Sequence, residues 1–492
     1  MRVVFVTTEA EPFAKTGGLA DVSGALPPAL MDLGVHVDVI MPLYGTIDTS
    51  AFGLKKLIIP QKMRVPVGGQ TEGLGIWQGT IPGSTVQVYF LEHHWYFDRS
   101  SLYTDPETGS DYVDNAARFV YFCRAALVAT EALNLRPDVF HCNDYQTALI
   151  PAYLKHLESC RLVFRNVASL YSIHNMAYQG IYPRSTMSLA GFGFEHFYVM
   201  SPFEFHGRVN LMKAGIVFAD EISTVSERYA LEIRSHSEYG HGLEGVLAER
   251  RSALSGIVNG IDDVSWNPET DPLIPAHFTA DDIAEKRLDK QALLETFGFS
   301  DRAADLPLIG MVSRLVSQKG LDLVTEAIDI LVKMDVRFVF LGTGDIVYHR
   351  ALQQAAAMYP DRIAVRLAFD NKLAHQIVAG SDMFLMPSQY EPCGLSQLYS
   401  LRYGTIPIVR GTGGLVDTVR DIEGDPDGGT GFVFHDYTSG AMLAAIERAL
   451  AVYDVRTKWE DIMRCGMAKD FSWRTSAEKY QVLYQRAIGH RS

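Results

Sequence analysis

Cysteine is scarce in this chain. Five occur in 492 residues, Cys123, Cys142, Cys160, Cys393 and Cys465. Their number is odd and they fall into no CxxC or Cys/His spacing, which argues against a disulfide framework and a structural zinc site and for reduced thiols. Positive charge is also short, 44 Lys and Arg against 58 Asp and Glu for a formal charge of −14. That balance argues against broad binding to nucleic acid or acidic membranes, so an anionic ligand needs a local basic site. No apolar run approaches membrane-spanning length, and the N-terminal run Val3 to Val6 is too short for a signal peptide, so a cytoplasmic protein is expected. Two nucleotide-binding signatures are missing after the first apolar run: there is no GxxxxGK followed by Ser or Thr, and no GxGxxG. ATPase and dinucleotide-dehydrogenase readings are therefore weak.

What the chain does contain is a repeated alternation of apolar strands with amphipathic helices. At this length it predicts two α/β domains of Rossmann type. The run Arg2 to Thr7 reads as a central parallel strand. The loop Thr8 to Leu19 follows, carrying Lys15, Gly17 and Gly18, then a helix over Ala20 to Leu33 closed by Gly34. Asp21 sits just inside that helix, where a carboxylate favours the helix dipole. Two later strands end in polar clusters, His141 to Asp144 and His174 to Gly180. In an open α/β sheet the carboxyl edge is where ligands bind. The run after His174 has no evident packing purpose, which favours a functional reading. His141 to Asp144 has no third ligand at helical spacing, so a metal is not expected there. The cluster His93 to Tyr96 suits stacking on a sugar ring or packing. The segment Tyr239 to Gly245 reads as a loop that closes on a ligand or merely connects. A Pro-rich polar stretch from Trp266 to Pro272 marks the domain boundary, with domains at 1–262 and 263–473 and a C-terminal helix, 474–492, returning to the first.

The second half restarts with the strand Leu308 to Val312, and its first loop supplies the missing basic site, Arg314 and Lys319. Each cation about 4 Å from a diphosphate would contribute roughly 4 kcal/mol of gross attraction at an effective dielectric near 20, before desolvation. Phe369, after the strand Ile363 to Leu367, offers a ring to a nucleobase. The densest chemistry lies in Ser388 to Thr418. There the strand Met383 to Met386 leads to Glu391, and a helix is expected from about Pro392 and Gly394 to Gly404. The strand Ile406 to Val409 then leads to Gly411-Thr412-Gly413-Gly414 and a helix over Leu415 to Arg420. Two helix starts at one sheet edge are suited to anions. Asp425-Pro426-Asp427 has a DxD pattern but lies in a Gly-rich stretch that reads as a turn.

Taken together these residues describe a cleft between two halves that holds a nucleotide diphosphate and an uncharged polar substrate. With Lys15-Thr-Gly-Gly-Leu and Asp21, His174-Asn175, Tyr178-Gln179-Gly180, Arg314, Gln318-Lys319-Gly320, Glu391-Pro-Cys-Gly-Leu395 and Thr412-Gly-Gly-Leu415, the sequence resembles the glycogen and starch synthases over essentially its whole length. The resemblance implies a GT-B fold and retaining transfer of glucose from ADP-glucose to the non-reducing 4-hydroxyl of an α-1,4-glucan, glycogen or a malto-oligosaccharide. It implies that Arg314 and Lys319 neutralise the diphosphate, that Gly18 and the amides of Thr412, Gly413, Gly414 and Leu415 cradle phosphate, and that Lys15 reaches it from the other half. Asp144 and His174 would contact the sugar, Glu391 would organise it and its developing charge, Cys393 and Gly394 would lie near its hydroxyls, and Phe369 would stand over adenine. No cofactor and no divalent metal are implied. Many retaining GT-B enzymes carry a second Glu eight residues after the first; here Tyr399 stands there, which puts a two-carboxylate mechanism in doubt and leaves front-face attack and double displacement both open. A UDP-glucose-dependent relative and a catalytically silent glucan-binding protein are the alternatives.

Overall fold

The computed structural model describes residues 1–60, 63–299 and 306–491. The chain divides into two compact units, Met1–Gly260 with Trp473–Ser492, and Ile261–Ser472.

In the first unit, nine strands form one sheet in the order Leu254–Gly256, Glu221–Thr224, Ala168–Ile173, Val139–Asn143, Arg2–Val6, His36–Pro42, Gln87–Glu92, Gly75–Thr80 and Lys55–Lys56. The first seven run parallel, and the last two add antiparallel edges. Arg2–Val6 is central, with Val3 beside Val37 on one neighbour and Val139 on the other. Its residues Val3, Val4, Phe5 and Val6 are all buried, as both faces of a parallel strand must be when helices cover them. The chain builds outward from this strand to one side, then returns to build the other, so its carboxyl edge is a topological switch point. The turn bearing Lys15 and the turn bearing Asp144 leave the sheet there as neighbours. The helix Gly18–Asp32 covers this region and ends on Gly34, whose φ of +79° suits glycine.

The helix Trp473–Gly489 belongs to this unit and is tied in by specific contacts. Tyr484 Oη lies 2.8 Å from His141 Nδ1, whose Nε2 lies 2.6 Å from Ser172 Oγ. Ser476 Oγ donates to the Val258 carbonyl at 2.7 Å. Arg486 and His490 both reach the buried Glu221, at 3.0 and 2.8 Å. His141 is therefore a core residue joining sheet to helix.

In the second unit six strands, all parallel, are ordered Ile363–Arg366, Arg337–Leu341, Leu308–Val312, Met383–Met386, Ile406–Arg410 and Phe432–Phe434. The switch point falls between Leu308–Val312 and Met383–Met386, so the loops after these two strands leave the sheet side by side. The core is aliphatic and aromatic, from Leu308 and Ile309 through Phe384 and Leu385 to Trp459. Three helices here were not anticipated from periodicity: Lys286–Thr296, Ile346–Met358 and Arg456–Met467. Charged residues on the exposed faces of Lys286–Thr296 and Arg456–Met467 dilute the apolar stripe, while Ile346–Met358 buries only Leu352 and Ala355 and leaves Ile346, Val347 and Met358 exposed.

Candidate active site

At the switch point of the second unit, the loop after Leu308–Val312 presents Arg314 and Lys319, and the loop after Met383–Met386 presents Glu391. Glu391 is 5% exposed, and its Oε2 accepts from Lys319 Nζ at 2.5 Å and from Ser388 Oγ at 3.1 Å. A carboxylate so removed from water needs such a partner, and a charge-assisted hydrogen bond supplies it. Backbone contacts hold the two loops together: the Gln389 amide donates to the Gln318 carbonyl at 2.9 Å, and Gln318 Nε2 to the Tyr390 carbonyl at 3.3 Å. Gly320 has φ +77°, and a Cβ there would stand 2.2 Å from the Pro387 carbonyl oxygen, so only glycine admits this approach. Arg314 is exposed, with a 3.3 Å contact from Nη2 to Gln318 Oε1, and its charge faces solvent. Phe369 is 91% exposed on the loop before the helix Asn371–Gly380, beyond a strand that ends at Arg366.

The two motifs within Ser388 to Thr418 pack on each other. The Gly414 amide donates to the Glu391 carbonyl at 3.1 Å, and a Cβ on Gly413, which has φ +46°, would lie 1.9 Å from that same oxygen. The amides of Thr412 and Leu415 donate to the carbonyls of Arg410 and Thr412, at 2.9 and 3.1 Å. The amides expected to cradle a phosphate are thus engaged at Thr412, Gly414 and Leu415, and the glycines serve close packing against the Glu391 loop. The helix expected from Pro392 begins at Ser396, because Gly394 adopts φ +73° and breaks the helical path. Cys393 is buried beside Glu391, and its carbonyl accepts from Gln397 Nε2 at 3.1 Å.

In the first unit, Lys15 Nζ is ion-paired with Asp21 at 2.7 Å and Glu11 at 2.8 Å in an open cluster. Burial pushes the Asp21 carboxyl up to about 6 against the pull of Lys15. Burial also works against the lysine's charge, but its two carboxylates outweigh that and raise its pKa. Glu9, which sequence reasoning missed, anchors this loop from beneath. Its carboxylate is 4% exposed and accepts from the Thr16 amide (2.5 Å), the Gly17 amide (3.1 Å), Thr16 Oγ1 (2.7 Å) and Tyr103 Oη (2.8 Å). Gly18 remains exposed, with nothing within 4 Å of a Cβ position.

Asp144 ends the strand Val139–Asn143 at φ 54° and accepts the His174 amide on Oδ1 at 2.8 Å. Burial raises its carboxyl to about 7, partly offset by amide hydrogen bonds from His174 and Asn175. The His174 ring nitrogen Nε2 is 2.9 Å from Asn143 Oδ1, while Asn143 Nδ2 donates to the Val6 carbonyl at 3.0 Å. That second bond orients the amide, so His174 carries its proton on Nε2 and leaves Nδ1 as an acceptor. Burial lowers its pKa to about 4, so the ring is neutral near pH 7.

The polar run after His174 does have a packing purpose, contrary to its reading from sequence. Gln179 is buried, donates to the Met176 and His241 carbonyls at 3.2 Å each, and accepts from Asn210 at 2.6 Å. It ties the 241–242 turn to the sheet. Gly180 packs on Tyr145, and Ala177 and Tyr178 are exposed. Asp425 caps its own turn by accepting the Gly428 amide at 3.0 Å. Among the described residues no group of three His, Cys, Asp or Glu is arranged to hold a metal, and no helix is long and apolar enough to cross a membrane.

Comparison with known proteins matches residues 2–249 to the starch synthase catalytic domain and residues 295–464 to glycosyl transferases group 1. The chain is 45% identical over 489 residues to a glycogen synthase of Koribacter versatilis, covering 99% of this chain and 98% of that one. It is 44% identical over 488 residues to a glycogen synthase of Syntrophotalea carbinolica, covering 99% of each. In structure it resembles the catalytic domain of starch synthase IV from Arabidopsis thaliana bound to ADP and acarbose, with a TM-score of 0.89, 34% identity and 99% coverage of both chains.

Proposed function

The chain belongs to the glycogen synthase and starch synthase family, and from that premise we propose how its residues divide the work of the reaction. It has the GT-B fold of that family and is a retaining glucosyltransferase, passing glucose from ADP-glucose to the non-reducing end of an α-1,4-glucan and releasing ADP. The observation that carries the division of roles is the buried Glu391–Lys319 pair at the switch point of the second unit, with Arg314 open to solvent beside it.

Arg314 and Lys319 bind the diphosphate, and their charge stabilises the ADP leaving group as the glycosidic bond breaks. Lys319 has three N–H donors, so it can hold Glu391 and a phosphate oxygen together. Because the Thr412, Gly414 and Leu415 amides already have partners, anion binding rests mainly on these cations. Glu391 fixes the donor glucose and its positive charge, with Cys393 and Gly394 near the hydroxyls, and Phe369 covers the adenine. From the first unit, Lys15 exchanges one of its carboxylates for phosphate, and Gly18 leaves room for that approach. Asp144 hydrogen-bonds the sugar as donor or acceptor, since a carboxyl raised to about 7 populates both forms at neutral pH. The neutral His174 ring is no general acid there, and its role is to offer Nδ1 and its main-chain carbonyl beside the anomeric carbon.

No divalent metal is required, because the cations already meet the diphosphate. Glycogen or malto-oligosaccharides serve as acceptor, and the enzyme works in the cytoplasm. The test is release of ADP from ADP-glucose with glycogen present, with and without EDTA, beside release of UDP from UDP-glucose. Turnover with ADP-glucose that withstands EDTA is expected. Loss of activity on chelation, or equal use of UDP-glucose, would overturn the corresponding role.

A further inference from the structure

Four neighbouring strands of the second unit, Leu308–Val312, Met383–Met386, Ile406–Arg410 and Phe432–Phe434, end at one edge of the sheet. The loops beyond the first two carry Lys319 and Glu391. The other two end in Arg410 and in the turn that bears His435 and Tyr437, and to Arg410 and Tyr437 no part in the reaction has been given.

Arg410 is half-buried, and its guanidinium is spent on main-chain carbonyls. Nη1 donates to the carbonyl of Gln389, two residues before Glu391, and Nε donates to the His435 carbonyl at 3.1 Å. Such charge-assisted bonds are roughly twice as strong as neutral ones. The central carbon of the guanidinium stands 5.3 Å from the centre of the Tyr437 ring. Only a planar fork can meet two carbonyls while its face stays on a ring, and a lysine could not do both. Tyr437 Oη in turn donates to Asp322 Oδ1 at 2.6 Å, in the first turn of the helix Leu321–Leu331 that follows Lys319. Burial, with that carboxylate beside it, pushes the phenol up, so it remains a donor. The contacts close on themselves, because the Gln389 amide donates to the carbonyl of Gln318, one residue before Lys319, at 2.9 Å. Arg410, Tyr437 and Asp322 therefore form a belt that joins the loops of all four strands.

We propose that Arg410 and Tyr437 are positioning residues for the transfer, holding the Glu391 loop against the Lys319 loop so that the carboxylate meets the donor glucose in one orientation. This rests on the role given to Glu391 under the proposed function. Neither residue has to touch the substrate. Diphosphate binding draws on Arg314 and Lys319, so loosening the Glu391 loop should spare ADP affinity and slow the transfer, where a misplacement of about 1 Å can cost about a hundred-fold.

In Arg410→Met, kcat per ADP-binding site should fall at least about ten-fold, while the Kd for ADP, read by calorimetry, stays within about two-fold of the wild type. Counting turnover per site that binds ADP removes the loss that a merely structural role would cause. Tyr437→Phe keeps the ring beneath the guanidinium and loses the bond to Asp322, so kcat per site should fall about three-fold. Because both residues act through one loop, the double variant should be little slower than Arg410→Met alone. Wild-type kcat per site in either variant would overturn the proposal. So would losses that multiply in full, or a loss of ADP affinity as large as the loss of kcat, which marks a direct ligand. Should Arg410→Met not fold, Tyr437→Phe carries the test, and wild-type kcat in it is decisive against the belt. Glu391→Ala judges the underlying role separately. If it loses turnover while Arg410→Met and Tyr437→Phe keep theirs, only the positioning falls; if it keeps turnover, both fall.

Discussion

The two units each set a lysine against a carboxylate at a strand-to-helix turn, yet they do so under opposite conditions. Lys15 sits in a more open cluster, its side chain 41% exposed, shared between an exposed Glu11 and a partly buried Asp21. Lys319 faces a Glu391 that is almost wholly withdrawn from water. An exposed pair is worth little and exchanges partners easily. A buried one is costly to break, because removing either member leaves a charge without solvent. The first arrangement suits a lysine that must release its carboxylates to meet a phosphate, and the second a carboxylate held in one orientation throughout the reaction.

The largest expected effect falls on that second pair. Glu391→Ala should lower kcat by about a hundred- to a thousand-fold, the scale seen when one preorganised group that stabilises transition-state charge is removed. Retention of turnover in ADP-release kinetics would remove Glu391 from the mechanism.

Next come the lysines, where the comparison predicts a divergence in stability. Lys319→Met should cost roughly 3 kcal/mol in urea unfolding of the second unit, since it strands the Glu391 carboxylate, and Lys319→Met with Glu391→Gln should recover part of that. Lys15→Met should leave unfolding nearly unchanged while weakening turnover. Equal destabilisation by both would collapse the distinction between the sites.

A smaller effect appears in the pH dependence of the first unit. Asp144 has a folded pKa of about 7, above its unfolded value near 3.9. Between about pH 4 and 7 the folded state binds the extra proton, so this group's contribution falls as pH rises. His174, at about 4 when folded against about 6.5 unfolded, has the opposite sign, its contribution rising over about pH 4 to 6.5. Urea midpoints across this range should therefore gain a positive slope in Asp144→Asn and a negative one in His174→Gln, relative to wild type. The same direction in both variants would refute the assigned shifts.

The smallest expected change is Phe369→Ala. Loss of one stacking face, about 1 kcal/mol, should raise the KM for ADP-glucose roughly five-fold without altering stability, given the exposure of the ring.

The strands that carry the chemistry were legible from their residues. Val3 to Val6, Leu308 to Val312 and Met383 to Met386 are continuous apolar runs because both faces are covered, and each is followed by a polar turn. Other features misled. Gln179 read as part of a polar run set out for a ligand, whereas it and Asn210, 31 residues apart, satisfy each other inside the fold. Gly413 and Gly414 read only as room for a phosphate, and the packing that their missing side chains allow against the Glu391 and Cys393 carbonyls was not legible.

By itself, then, the sequence determined the succession of α/β elements, the turns at which function gathers and the family to which the chain belongs, because apolar period and short motifs are local properties of the chain. Only the tertiary structure decided how those residues are partnered: Lys319 with Glu391 across 72 positions, Glu9 beneath the Lys15 loop, and Tyr484 against His141 across 343. Burial, pKa and hydrogen-bond satisfaction depend on which distant segments exclude water from a group, and residue type and spacing do not encode that.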